Sequence, residues 1–214
     1  MRKLLALLPV ICLSVASLAA KADDTLTFVN NPSGTEIGPY NLTLGSTGQN
    51  LSLFCMNDQD FIQGGEKWSV DVVNGADLIS KLGTTLGTQY EQEAYIYSKY
   101  DGTNATDVQD ALWAVFHLPP DYTTLDPGAL ALYDAATTNM SSNPFYTDGA
   151  LSDYAFYLYD SQGTNVDGGS IYDRYSTYDP QNFIGAAPEP SSLFLLGSGL
   201  VGLAGVARRK LARA

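Results

Sequence analysis

The chain predicts an α+β fold: a single extracellular domain with antiparallel strands and a few helices, set between two apolar terminal segments. Three observations carry this. The first third alternates polar and apolar residues with the period of half-buried strands, as in Tyr40-Asn41-Leu42-Thr43-Leu44. Val108, Ala111, Leu112, Val115 and Phe116 then fall on one stripe at helical spacing. A late aromatic run, Tyr154 to Tyr159, reads as a strand again.

Taken in order, Arg2 and Lys3 form a positive start, Leu4 to Ala19 is apolar, and Ala20-Lys21-Ala22 fits a small-x-small cleavage site. Residues 1–22 therefore read as a signal peptide, with the mature start at Asp23. The alternative, an N-terminal membrane anchor, is opposed by the shortness of the run. Residues 23–187 suit one domain of ordinary size. Leu26 to Val29 is a short strand. Tyr40–Leu44 and Leu51–Cys55 alternate, and the turn formers from Gly45 to Asn50 join them as a hairpin. Trp68 to Val72 alternates too. Ala76 to Leu82 makes one or two helical turns, and Gln89 to Lys99 suits a helix. Asp107 to Leu118 is the clearest helix, stopped by Pro119-Pro120; Asp126-Pro127 opens another to about Thr138. Asp160 to Pro180 reads as loop, and Gly185-Ala186-Ala187 as a linker.

The charge is lopsided. Residues 23–187 hold 22 acidic and 4 basic side chains, a net charge of −18. A nucleic-acid partner is not expected, because such binding needs a basic face. Solubility outside the cell is the plain account of the charge. The acidic stretches Asn57-Asp58-Gln59-Asp60 and Asp160 to Asp173 lack the spacing of a known calcium loop, so no metal and no cofactor are expected. Thirteen tyrosines lie from Tyr90 to Tyr178. They suit a glycan- or protein-binding surface, and equally a half-buried core.

With Cys12 in the signal peptide, Cys55 is the one cysteine of the mature chain. It is open to three accounts: a small buried hydrophobe, a partner in an intermolecular disulfide, or a side chain committed to other chemistry.

After the linker come Pro188-Glu189-Pro190, a glycine-laced apolar run over 191–207, and the basic cluster Arg208, Arg209, Lys210 and Arg213. An apolar run followed by arginines suits a membrane helix with a cytoplasmic basic flank. The order of these parts resembles the PEP-CTERM sorting tail, residues 188–214 here. That resemblance implies an exosortase-type processing enzyme as partner, transient inner-membrane anchoring, and release to the cell surface or beyond.

Two short motifs stand together in the domain. One is Phe54-Cys55-Met56-Asn57; the other is Val108-Gln109-Asp110-Ala111-Leu112-Trp113. The pair resembles the thioester domains of bacterial surface adhesins. The resemblance implies that Cys55 donates the sulfur and Gln109 the acyl group of an internal thioester, with Phe54, Asn57 and Trp113 as flanking motif positions. The 53 residues between Cys55 and Gln109 are fewer than the larger adhesin domains carry. A thioester stores an electrophile without a cofactor and survives where water is kept out. It would attach the protein to a surface or matrix polysaccharide or protein.

Other readings of the same residues stand beside it. Thr106 and Gln109 also fit a capping box, which sets Gln109 on the first turn of the helix. A non-covalent glycan- or matrix-binding structural protein needs only an inert Cys55. A secreted thiol hydrolase would pair Cys55 with His117, the one histidine. The leading expectation is a non-enzymatic adhesin-like protein of the cell surface or biofilm matrix.

Overall fold

The computed structural model describes residues 24–57, 62, 64–117, 125–138, 140–160 and 181–187. The proposed signal peptide lies outside them. So do Pro119-Pro120, Pro188-Glu189-Pro190, the apolar run 191–207, Arg208, Arg209, Lys210 and Arg213. Six strands form a closed barrel in the order β1-β2-β3-β6-β5-β4. They are β1 (Asp24–Asn30), β2 (Tyr40–Leu44), β3 (Gln49–Cys55), β4 (Lys67–Asn74), β5 (Tyr154–Tyr159) and β6 (Phe183–Ala186). Every neighbouring pair is antiparallel. Between β4 and β5 the chain leaves the barrel through α1 (Leu78–Leu82), α2 (Thr84–Tyr97), α3 (Ala105–His117), α4 (Pro127–Thr137) and α5 (Pro144–Thr147).

The burial pattern follows from which face of each strand the helices cover. β2 alternates buried and half-buried residues, so it has one core face and one wetter face. The end of β3, β5 and β6 bury consecutive residues. Their side chains divide between two cores, as the pleat requires. Leu26, Leu42, Leu53, Cys55, Trp68, Tyr157 and Phe183 join a cluster drawn from all six strands, which is the barrel interior. Phe54, Phe156 and Ile184 belong instead to a second cluster with Val108, Leu112 and Ala129 of the helices. The boundary between the two cores runs through adjacent residues, and Phe54-Cys55 straddles it.

Three sequence expectations need correction. Gly185-Ala186 is not part of a linker: both residues lie in β6, which pairs with β3 and β5 and closes the barrel. A Cβ on Gly185 would come within 2.3 Å of Leu53 Cδ2, so the glycine serves close packing rather than flexibility. Thr106 is not a helix cap. α3 starts at Ala105, and the Val108 N–H donates to the Asn104 carbonyl at 3.1 Å, which puts Asn104 at the cap position. The turn leading in is held by Asp101, whose carboxylate accepts from Thr103 and from the Asn104 N–H. Gln109 accordingly sits in the second helical turn and not the first.

Candidate functional site

The site is where the end of β3 meets α3. The apolar stripe of α3 packs Val108, Ala111 and Leu112 against the outer face of the barrel, and all three are fully buried. Gln109 is carried in with them and is also fully buried. A buried carboxamide must find partners for both its ends. Gln109 Nε2 donates to the Cys55 carbonyl at 2.6 Å, and the Gly38 N–H donates to Gln109 Oε1 at 3.2 Å. These two main-chain partners fix the amide's orientation, because a flipped group would set donor against donor and acceptor against acceptor. The bond to Cys55 spans 54 positions and that to Gly38 spans 71, so neither could be read from local sequence.

Cys55 is buried and belongs to no disulfide. Its side chain packs with the barrel interior, and its thiol donates to the Asn57 carbonyl at 2.9 Å. The carbonyl that Gln109 grips and the thiol stem from the same Cα. The structure thus brings the carboxamide onto the residue that bears the sulfur. Forming a bond between them requires the sulfur to turn away from the Asn57 carbonyl toward Gln109 Cδ.

The flanking motif positions have distinct places. Phe54 is fully buried, with its ring edge-on to Tyr97 at 5.7 Å and to Tyr100 at 4.8 Å between centroids. Asn57 is structural: its Oδ1 accepts the Asn182 N–H at 2.7 Å, while the Met56 N–H donates to the Asn182 carbonyl at 2.9 Å. The end of β3 is thereby tied to the approach of β6. Trp113 lies one turn beyond Gln109 and is half-buried; its Nε1 has no hydrogen-bond partner among the described residues. His117 ends α3, eight residues past Gln109, which sets its backbone about 12 Å along the helix axis.

Sequence reasoning missed Gly38, Tyr40, Tyr97 and Tyr100. A Cβ on Gly38 would meet Phe54 Cδ1 at 2.9 Å and Gln109 Oε1 at 3.0 Å, so only glycine lets all three pack together. The Tyr40 hydroxyl donates to the Glu36 carbonyl. Burial, and then the nearby Cys55 and Glu36, push that hydroxyl above its ordinary pKa. No signal in the sequence marks these residues, because each reaches the site from a separate loop, strand or helix. No group of acidic, histidine or cysteine side chains suited to a metal ion occurs among the described residues. Among them, too, no helix is long and apolar enough to cross a membrane.

Residues 186–210 match the family model of the PEP-CTERM protein-sorting motif. No curated protein and no solved structure matches the chain. The matched motif marks the chain as an exported protein sorted by an exosortase.

Proposed function

We propose that this exported domain is an adhesin-like module that carries an internal thioester between Cys55 and Gln109 and attaches covalently to a surface or matrix polysaccharide or protein. One observation carries the reading: the fully buried Gln109 carboxamide donates a hydrogen bond to the main-chain carbonyl of Cys55, the one cysteine of the mature chain. Two aromatic rings around Phe54 supply the water exclusion that a thioester needs. Carrying sulfur and carboxamide on a barrel strand and a packed helix favours a reproducible approach. The position of His117, far along α3 from Gln109, argues against a Cys55–His117 hydrolase.

The mature protein purified from its host is expected to weigh one ammonia less than its sequence requires. Cys55→Ala and Gln109→Ala should each abolish the deficit. Methylamine should open the wild-type protein, exposing a titratable thiol and labelling Gln109. A full sequence mass with unmodified Gln109 in freshly purified protein defeats the reading. Hydrolysis in storage is told apart by Glu at position 109 in a peptide map.

The runner-up is a non-covalent glycan- or matrix-binding protein with an inert cysteine. It is favoured by the thiol's hydrogen bond to the Asn57 carbonyl and its packing in the barrel interior. In that reading Gln109 is a peg that locks α3 to the barrel. The same mass measurement separates the two.

A further inference from the structure

The two hydrogen bonds that satisfy the buried Gln109 carboxamide also have the polarity of an acyl-transfer site. The carbonyl oxygen receives a backbone N–H, and the nitrogen faces a backbone carbonyl. These are the polarities that acyl transfer at Cδ calls for. We propose, resting on the thioester reading, that the Gly38 N–H is the oxyanion donor for acyl transfer at Gln109 and that the Cys55 carbonyl orients the departing nitrogen.

The step balances without a co-reactant. The Cys55 sulfur forms a bond to Gln109 Cδ, and the negative charge of the tetrahedral adduct gathers on Oε1. The Cδ–Nε2 bond then breaks as the carbonyl re-forms. The thiol proton ends on the leaving nitrogen, and ammonia departs. When a target amine attacks the finished thioester, the same oxygen carries the charge again, the sulfur leaves as thiol, and an amide remains. In both directions the donor is a main-chain N–H already in place, in a buried site where a fixed dipole is worth more than in water. Its 3.2 Å ground-state length leaves room to tighten as charge develops on the oxygen. The absent side chain at position 38 matters for the same reason: a Cβ would stand 3.0 Å from Oε1, where the oxyanion forms.

The test needs that one N–H removed with the side chains untouched. Cys55 offers a ligation junction that leaves the native sequence. A synthetic segment 23–54 is joined to a recombinant segment 55–214 in detergent, once with all amides and once with an ester oxygen in place of the Gly38 N–H. Both chains are refolded, and the loss of one ammonia's mass is followed in time. The ester chain is expected to acquire the thioester about 100- to 1,000-fold more slowly, the effect of deleting one oxyanion donor. Equal rates in two folded chains overturn the proposal while leaving the thioester reading intact. An all-amide chain that folds but never loses ammonia, matching host protein of full mass, overturns both. N-methylglycine at position 38, placed by the same synthesis, also lacks the N–H and provides a second route if the ester chain does not regain the near-ultraviolet circular dichroism of the all-amide chain. If that chain folds and forms the thioester at the wild-type rate, the proposal is wrong.

Discussion

At the residue scale, Gln109 shows why a buried polar group is costly to remove. Gln109→Ala strips partners from the Gly38 N–H and the Cys55 carbonyl. Leaving two buried main-chain groups unpaired should destabilise the domain by about 3 kcal/mol, read from urea unfolding of the thioester-free protein. Gln109→Glu sets a carboxylate against the Cys55 carbonyl and should lose still more at neutral pH. Glu93 makes a different prediction. It is fully buried on α2, and neither carboxyl oxygen has a hydrogen-bond partner among the described residues. Burial holds its pKa well above the usual carboxylate range, and the same charge, after burial, helps to raise the Tyr90 hydroxyl. A raised folded pKa means the native state keeps a proton that the unfolded chain has lost. Stability from this group is therefore full below the ordinary carboxylate pKa and falls as pH rises toward the folded value. Glu93→Gln removes that titration. It should flatten the fall in stability from about pH 4 upward and raise the melting temperature at neutral pH relative to wild type. An unchanged pH profile in the variant would count against a protonated Glu93.

At the scale of elements, β6 decides whether the barrel is closed. Its four residues all pair with β5, and Phe183 and Ile184 also pair with β3. Gly185→Ala drives a methyl into Leu53 Cδ2, which should cost about 1–3 kcal/mol of overpacking and lower the melting temperature by several degrees. A melting temperature equal to wild type would mean that Leu53 can move aside at no cost. β2, with one wetter face, was legible in the sequence because water imposes alternation, and it falls on the boundaries read from it; β5 buries consecutive residues and was legible instead from its run of aromatic residues. β6 was not legible. Phe183-Ile184 buries both faces, so no alternation appears, and Gly185-Ala186-Ala187 has the composition of a linker. Its identity as a strand rests on partners far away in sequence. The same division applies to the site. Cys55 and Gln109 could be singled out by cysteine count and motif, whereas Gly38 could not, because its role depends on a fold that carries a loop to a helix 71 positions away. Thr106 misled because a threonine three residues before a glutamine has the form of a cap, while the Asp101-to-Asn104 turn starts the helix earlier.

At the scale of the whole molecule, the sorting motif begins where the barrel ends. The match starts at residue 186, the last residue of β6, and the Ala187 N–H still donates to the Asp153 carbonyl at 2.7 Å. Processing near Pro188-Glu189-Pro190 would therefore remove the tail without opening the barrel. Two consequences can be measured together. Peptide mapping of extracellular protein from the native host should find a mature start at Asp23 and a new C-terminus near residues 188–190, with the 191–214 tail missing; a tail retained on most of that material would refute the cut. A chain of residues 23–187, made directly, should melt at the temperature of the longer mature chain, because every described strand and helix lies within it. A clear loss of stability would mean that the tail contributes to the fold. The same fragment, with a net charge of −18, should stay soluble and leave DNA unshifted in a gel at moderate salt, since repulsion from phosphate opposes contact across the acidic surface. A retarded band that persists at that salt would require a local basic face that the four basic residues of the domain, Lys67, Lys81, Lys99 and Arg174, are too few to build.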